Sequence, residues 1–219
     1  MFPAIGNKAS KLWLHKIEEE WTIGEQMPNE LRKWLTHNGV CLFRELGLQP
    51  GDRVLDFGCG DGVYSIPAAK VVGKEGVVFA LDRDRASLNI LMKKALRLGL
   101  FNIVAVYDLN ELKPLLRGIP LDVVLLYDVI HSYYFTDKQR IDLLRSITRM
   151  VKTNGLISIF PRHMENDEIC TVRDTLNRLD FFLEKQQSSN LMHNGGYTFD
   201  STLNFRKVPG LSNAENKPL

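Results

Sequence analysis

The sequence predicts an α/β protein built on a mostly parallel sheet with helices on both faces. Three observations carry that expectation. Short apolar runs alternate with amphipathic helical stretches along most of the chain. The first of these runs, Val54-Leu55-Asp56-Phe57, breaks into Gly58-Cys59-Gly60-Asp61-Gly62 and restarts as a helix from Tyr64 to Val72. The chain then closes with two strand-like runs that have no helix between them. Regular alternation demands parallel strands, because each helix returns the chain across one face of the sheet by a right-handed crossover.

Residues 1–50 precede the first strand and read as a helical cap. In Ala9–Trp21, Leu12, Trp13, Ile17 and Trp21 share one face at helical spacing. A second helix starts near Glu30 behind Pro28 and Asn29, and a further piece follows Asn38-Gly39 from Val40 to Leu46. All three tryptophans lie in this segment, so it must pack on something. Two readings stay open: cover for a sheet edge, or a lid over a pocket.

From residue 51 to 209 the elements follow in order. Val54–Phe57 is a buried strand, Gly76–Leu81 a second, Asn102–Val106 a third and Leu121–Tyr127 a nearly unbroken apolar fourth. Helices are expected over Arg85–Leu98 and Lys138–Val151, the latter ending in Thr153-Asn154-Gly155. Leu156–Phe160 is the fifth strand and Glu165–Leu179 another helix. Phe181–Gln187 and Thr198–Lys207 should pair as an antiparallel hairpin around a long connection. Residues 210–219 read as a polar, flexible tail.

Composition narrows the function classes. The formal net charge is +2 over 219 residues, and no run of five like charges occurs, so a nucleic-acid partner is not indicated. No apolar span reaches the length of a membrane helix, and the N-terminus lacks the form of a secretion signal. Cys41, Cys59 and Cys170 are odd in number and widely spaced, which fits free thiols and a cytoplasmic location. No Cys/His spacing of the zinc type appears, and no metal site is expected. The oligomeric state is not legible.

The glycine stretch is the first functional signal. Glycine lacks a Cβ and tolerates backbone angles other residues avoid, so a ligand can approach the main chain there. The helix start behind it offers unpaired N–H groups. The spacing is G-x-G-x-G with Asp56 two residues before the first glycine, not the G-x-G-x-x-G of dinucleotide binders. Singly, it also suits an ordinary βα turn. A second signal strengthens it: successive strands end with an acid at or beside one edge, namely Asp56, Asp82, Asp108 and Asp128. Ligands of open parallel sheets bind outside that edge.

Together these residues resemble the class I S-adenosylmethionine-dependent methyltransferases, and Lys152-Thr153-Asn154-Gly155 resembles the turn that precedes their fifth strand. The resemblance implies a seven-stranded Rossmann-like sheet with an antiparallel last strand. It implies S-adenosyl-L-methionine as cofactor and S-adenosyl-L-homocysteine as product. Asp56, Gly58, Cys59, Gly60, Asp61 and Gly62 would form the loop under the methionine end. Asp82, beside Arg83, would take the ribose hydroxyls, and its distance of about twenty residues past the glycines suits that use. Asp108 and the Leu109 backbone would face the adenine, and Asp128 the methionine amino group or the acceptor. Asp84 reads as a helix cap.

Methyl transfer from a sulfonium needs alignment in a dry pocket, and a general base only if the acceptor loses a proton. His131 is the first candidate base, with His163, Tyr133 and Tyr134 behind it, while His193 is expected in an exposed hairpin loop. The Asp128-Val129-Ile130-His131 stretch resembles the small-molecule methyltransferases of ubiquinone and menaquinone biosynthesis. A small-molecule acceptor is therefore expected. Alternatives are a non-catalytic cofactor-binding subunit or sensor, a methyltransferase acting on protein or RNA, and an aminopropyltransferase.

Overall fold

The computed structural model describes residues 28–209; the helix expected over Ala9–Trp21 and the tail from Gly210 lie outside the described residues. Seven strands form one sheet: β1 (Arg53–Phe57), β2 (Val77–Leu81), β3 (Ile103–Val106), β4 (Leu121–Tyr127), β5 (Val151–Phe160), β6 (Phe181–His193) and β7 (Gly196–Lys207). Their order is β3-β2-β1-β4-β5-β7-β6. The first five run parallel, and β7 runs antiparallel to both of its neighbours. This is the Rossmann-like arrangement expected from the alternation of elements.

Apolar runs become central strands because both of their faces are covered. On one face lie α2 (Gly39–Leu46), α3 (Ser65–Val72) and α4 (Arg85–Arg97), which bury Phe43, Ile66, Leu88 and Leu91 against the strands. On the other lie α5 (Leu109–Leu116), α6 (Asp137–Thr148) and α7 (Asn166–Asn177), burying Leu112, Leu144, Ile147 and Leu176. Side-chain caps fix several starts: Asp84 accepts from Ala86 and Ser87 at α4, and Thr136 and Gln139 form a reciprocal capping box at α6.

Four details differ from the sequence reading. Helix α5 is not among the elements expected from the sequence, and it carries Pro114 inside it. Asp108 caps the helix, and Leu109, Leu112 and Leu116 recur at helical spacing on its apolar side. Asn38-Gly39 does not interrupt the N-terminal helix: α1 (Asn29–Lys33), a π-helical turn (Trp34–Asn38) and α2 run on without a break. Gly39 serves packing there, since a Cβ would stand 2.9 Å from Pro67 and 3.0 Å from Trp34.

The turn placed before the fifth strand lies within β5. Val151 pairs with Leu121 and Leu156 with Val123, so residues 152–155 bulge out of the ladder, with Asn154 left-handed. The closing hairpin is longer than expected. Its strands pair up to His193 and Gly196, leaving only Asn194-Gly195 to turn the chain, both at positive φ. Asn-Gly in that conformation matches the twist of a hairpin, so strand pairing continues through the polar stretch assigned to a loop.

Trp34 ties the N-terminal helices to the sheet. It is fully buried, donates its indole N–H to the Val63 carbonyl at 2.8 Å, and packs edge-on against Tyr64 and Tyr197.

Candidate functional site

The strand order reverses between β1 and β4, which are neighbours although three strands apart in sequence order, and a crevice opens past their carboxyl ends. The loop leaving β1 is pinned there: the N–H groups of Gly58 and Cys59 both donate to the Leu81 carbonyl, at 2.8 and 3.0 Å. Gly58, Gly60 and Gly62 all have left-handed backbones, with φ of 74°, 52° and 89°. Their surroundings differ. A Cβ on Gly58 would stand 2.3 Å from Val129, and one on Gly62 would stand 2.1 Å from Leu91. A Cβ on Gly60 would meet nothing within 4 Å. The outer glycines let protein pack on protein, and the middle one faces open space.

That space belongs to a cavity of about 500 Å³, a size suited to a small-molecule ligand. Gly58, Gly60, Asp82, Arg83 and Asp128 line it, with Phe57, Leu81, Val129 and Phe135 as its apolar walls. Asp82 holds the loop in place. One carboxylate oxygen accepts the Gly60 N–H at 2.8 Å and the other the Asp84 N–H at 2.8 Å. Each oxygen still has acceptor capacity for a ligand hydroxyl.

The other expected loop and edge residues do not line the cavity. Asp56 is buried and accepts the Ser65 hydroxyl at 2.6 Å. Burial pushes its pKa up to about 7, against the pull of Ser65, and the nearby Asp82 charge adds to the rise. Burial likewise pushes the Cys59 thiol up, reinforced by Asp56 and Asp82, so it is not a nucleophile near neutral pH. Asp61 pairs with Lys94 at 2.5 Å, and Gly62 packs on Leu91. Asp108 is exposed and caps α5 by accepting from Asn110 and Glu111, while Leu109 packs on the core below the sheet. The apolar walls escaped sequence reading, although each lies at a strand end or just past β4, where a wall would be looked for.

Asp128 is the hinge of a second constellation. It follows β4 with φ of 53°, uncommon for a residue other than glycine. Its Oδ1 lies 2.6 Å from His163 Nδ1 and 3.8 Å from His131 Nε2. Its Oδ2 lies 3.2 Å from His193 Nδ1. His193 thus corrects the sequence expectation: it ends β6 and is half-buried against Asp128, because the longer hairpin carries it back to the sheet edge. His131 is 4% exposed, and burial lowers its pKa, with Asp128 opposing and His163 assisting. It is therefore neutral near pH 7, with a lone pair available. Tyr133 and Tyr134 stand exposed beside it.

Residues 54–155, which hold the glycine loop, Asp82, Asp108, Asp128 and His131, match the family model described as a methyltransferase domain. That stretch is a methyltransferase domain, and what it is similar to is the class I S-adenosylmethionine-dependent enzymes. A ubiquinone/menaquinone biosynthesis C-methyltransferase of Blochmanniella floridana is 29% identical over 132 residues, 60% of this chain and 50% of that protein. The chain spans half or less of the length of the curated relatives it matches. Among solved structures, magnesium protoporphyrin IX methyltransferase of Synechocystis, with bound S-adenosylhomocysteine, superposes with a TM-score of 0.59 at 16% identity. That match covers 92% of this chain and 95% of the other. A putative rRNA-methylase of Clostridium thermocellum gives 0.54 at 19% identity, over 84% and 99% of the two chains. At such identities the likeness establishes the fold and does not select an acceptor.

The cofactor of this methyltransferase family is S-adenosylmethionine. The cavity suits its adenosyl part on its own chemistry. A carboxylate for vicinal hydroxyls, Asp82, stands beside a peptide without side chain, Gly60, and apolar walls flank both.

Proposed function

We propose that this chain transfers the methyl group of S-adenosylmethionine to a small-molecule acceptor bound between Asp128 and the 130–135 loop. The observation that carries this reading is the cavity where Gly60 and Asp82 meet Asp128 along one rim. Bound there, S-adenosylmethionine supplies a methyl carbon already activated for displacement by its sulfonium. The protein's part is then placement.

Asp82 accepts the ribose hydroxyls, and the Gly58–Gly62 loop leaves room for the chain toward the sulfur. Phe57, Leu81, Val129 and Phe135 keep water off the reacting end. Asp56, Cys59, Asp61 and Gly62 shape the loop from behind, while Asp108 and Leu109 edge the adenine side by way of the α5 start. Asp128 faces the acceptor, and neutral His131 receives its proton where one must leave. Exposed Tyr133 and Tyr134 at the mouth favour a flat acceptor with apolar faces. The near-neutral charge and the quinone-methylating relative also support a small molecule over RNA. Of the cap expected over residues 1–50, we take the described part, residues 28–50, to cover the domain of residues 51–209, since Trp34 reaches both the glycine loop's exit and the hairpin.

Calorimetric titration with S-adenosylmethionine and S-adenosylhomocysteine, followed by radiolabelled methyl uptake over a panel of quinols, phenols and tetrapyrroles, tests the reading. Failure of both cofactor forms to bind would end it. Methyl uptake into RNA alone would move the acceptor to another class.

A further inference from the structure

The histidines around Asp128 have no precedent in the loop's sequence spacing, yet the fold gathers them from three places: the β4 exit, the β5 exit and the hairpin end. The side-chain donor atoms of Asp128, His131 and His163 all lie within 4.8 Å of one another. We propose that Asp128, His131 and His163 form a binding site for a divalent transition-metal ion, with His193 in reach as a fourth ligand. The inference rests on the reading above only for where the acceptor lies.

Three features point to an ion. First, the donor set is two or three imidazoles and one carboxylate, the ligand chemistry of zinc, manganese, iron and cobalt and not of calcium or magnesium. Second, His131 is short of hydrogen-bond partners on one ring nitrogen. Its Nδ1 is buried without a hydrogen-bond partner, and its Nε2 is 3.8 Å from Asp128 Oδ1, too long for a hydrogen bond. The Nε2 atom, which faces Asp128, is then available to an ion. Third, donors that share one ion at about 2.0–2.2 Å stand about 3–3.5 Å apart. The spacings of 2.6, 3.2 and 3.8 Å from Asp128 to the three histidines bracket that value.

His163 and His193 can each donate a proton to Asp128 when no ion is present, and a metal would displace those protons. The Asn194 side-chain nitrogen lies 2.9 Å from His193 Nε2 and donates to it, which leaves the proton of the metal-free ring on Nδ1, facing Asp128. Asp128 also lines the cavity, so an ion here would be open on the acceptor side. It would hold an acceptor's oxygen and lower the pKa of its hydroxyl, giving the site a Lewis acid in place of a free histidine base. The acceptor class that follows is one presenting an enolic or phenolic oxygen.

The test uses the full chain, stripped with chelator and titrated with Zn²⁺ and with Co²⁺ in the absence of S-adenosylmethionine. One equivalent should bind at micromolar concentration or tighter, and Co²⁺ should develop the visible bands of a nitrogen- and oxygen-ligated ion. His163→Ala, at a half-exposed position that the fold tolerates, should weaken binding by about a hundredfold or more. His131→Ala should do the same, and His37→Ala, on the exposed face of the N-terminal helix, should change nothing. Absence of stoichiometric binding, or equal binding by all four proteins, overturns the proposal. Because uptake is read without S-adenosylmethionine, a failure of cofactor binding would sink the methyltransferase reading and not this one.

Discussion

The carboxylate of Asp82 accepts the backbone N–H of Gly60 at 2.8 Å, so the acid that ends β2 also holds the ligand loop of β1 in shape. Its second oxygen does the same for the Asp84 N–H at the start of α4. One side chain therefore has two duties, fixing the cavity floor and meeting the ligand.

Asp82→Ala should remove both duties and weaken S-adenosylmethionine binding by about 1–3 kcal/mol, roughly 5- to 150-fold, with a lower melting temperature. Asp82→Asn keeps an oxygen for Gly60 but turns its NH2 to the Asp84 N–H and loses the charge, so it should lower both cofactor affinity and melting temperature, each by less than Asp82→Ala. Calorimetry and thermal melts on the two variants separate the duties. Equal melting temperatures for wild type and Asp82→Ala would refute the anchoring role.

The three glycines should part company on mutation. Gly62→Ala forces a Cβ to within 2.1 Å of Leu91 at a φ of 89°, which should cost about 2–5 kcal/mol of stability. Gly58→Ala meets Val129 and should behave alike. Gly60→Val enters open space at a φ of 52°, so the chain should stay folded at a cost of about 1–3 kcal/mol. Its side chain would then fill the cavity and abolish cofactor binding. A Gly60→Val protein that binds normally would contradict the placement of the ligand over this loop.

Asp56 gives the ligand-free protein a signed pH dependence. Its folded pKa is raised to about 7, chiefly by burial, from an ordinary value of 3.8, so between those values the folded state holds the extra proton. Stability from this group is present below about pH 4 and is lost as pH rises to about 7, with a slope of at most about 1.4 kcal/mol per pH unit. Asp56→Asn still accepts the Ser65 hydroxyl and cannot ionise. Relative to wild type it should gain stability from pH 4 to 8 in urea titrations. Parallel curves would show that Asp56 stays charged in the folded state.

Much of this architecture is legible in the chain because buried parallel strands leave unbroken apolar runs such as Leu121–Tyr127, and glycines mark the first turn. The edge acids are legible too, but not their division of labour. Whether Asp56 faces a ligand or Ser65, and whether Asp108 faces adenine or its own helix start, depends on side-chain direction, which spacing does not set. The histidine cluster is hidden for a different reason. His163 and His193 reach Asp128 only through the order of strands and the hairpin register, both long-range properties. The Asn194-Gly195 turn carried a local signal for that register that the surrounding polar residues obscured.

Arg140 is the least expected part of the site. It is 1% exposed on α6, and its guanidinium forms an ion pair with buried Glu168 of α7. It also donates to the Ile130 carbonyl at 2.6 Å, to the Phe135 carbonyl at 3.4 Å and to Asp137 at 2.7 Å. It thus clasps both ends of the loop that carries His131, Tyr133 and Tyr134. Truncation leaves Glu168 buried without its partner, and Arg140→Ala should lose about 3–5 kcal/mol of stability. The double variant Arg140→Met/Glu168→Leu removes both charges together and should recover most of that loss, since apolar replacement of a buried pair is often neutral. It should not recover methyl transfer, because nothing then holds the two loop carbonyls and the acceptor wall is unpinned. Cofactor affinity, set by Gly60 and Asp82, should stay within about threefold of wild type in the double variant. Urea titration, calorimetry and turnover on the same preparations decide it: normal turnover in the double variant would show that the clasp serves stability alone.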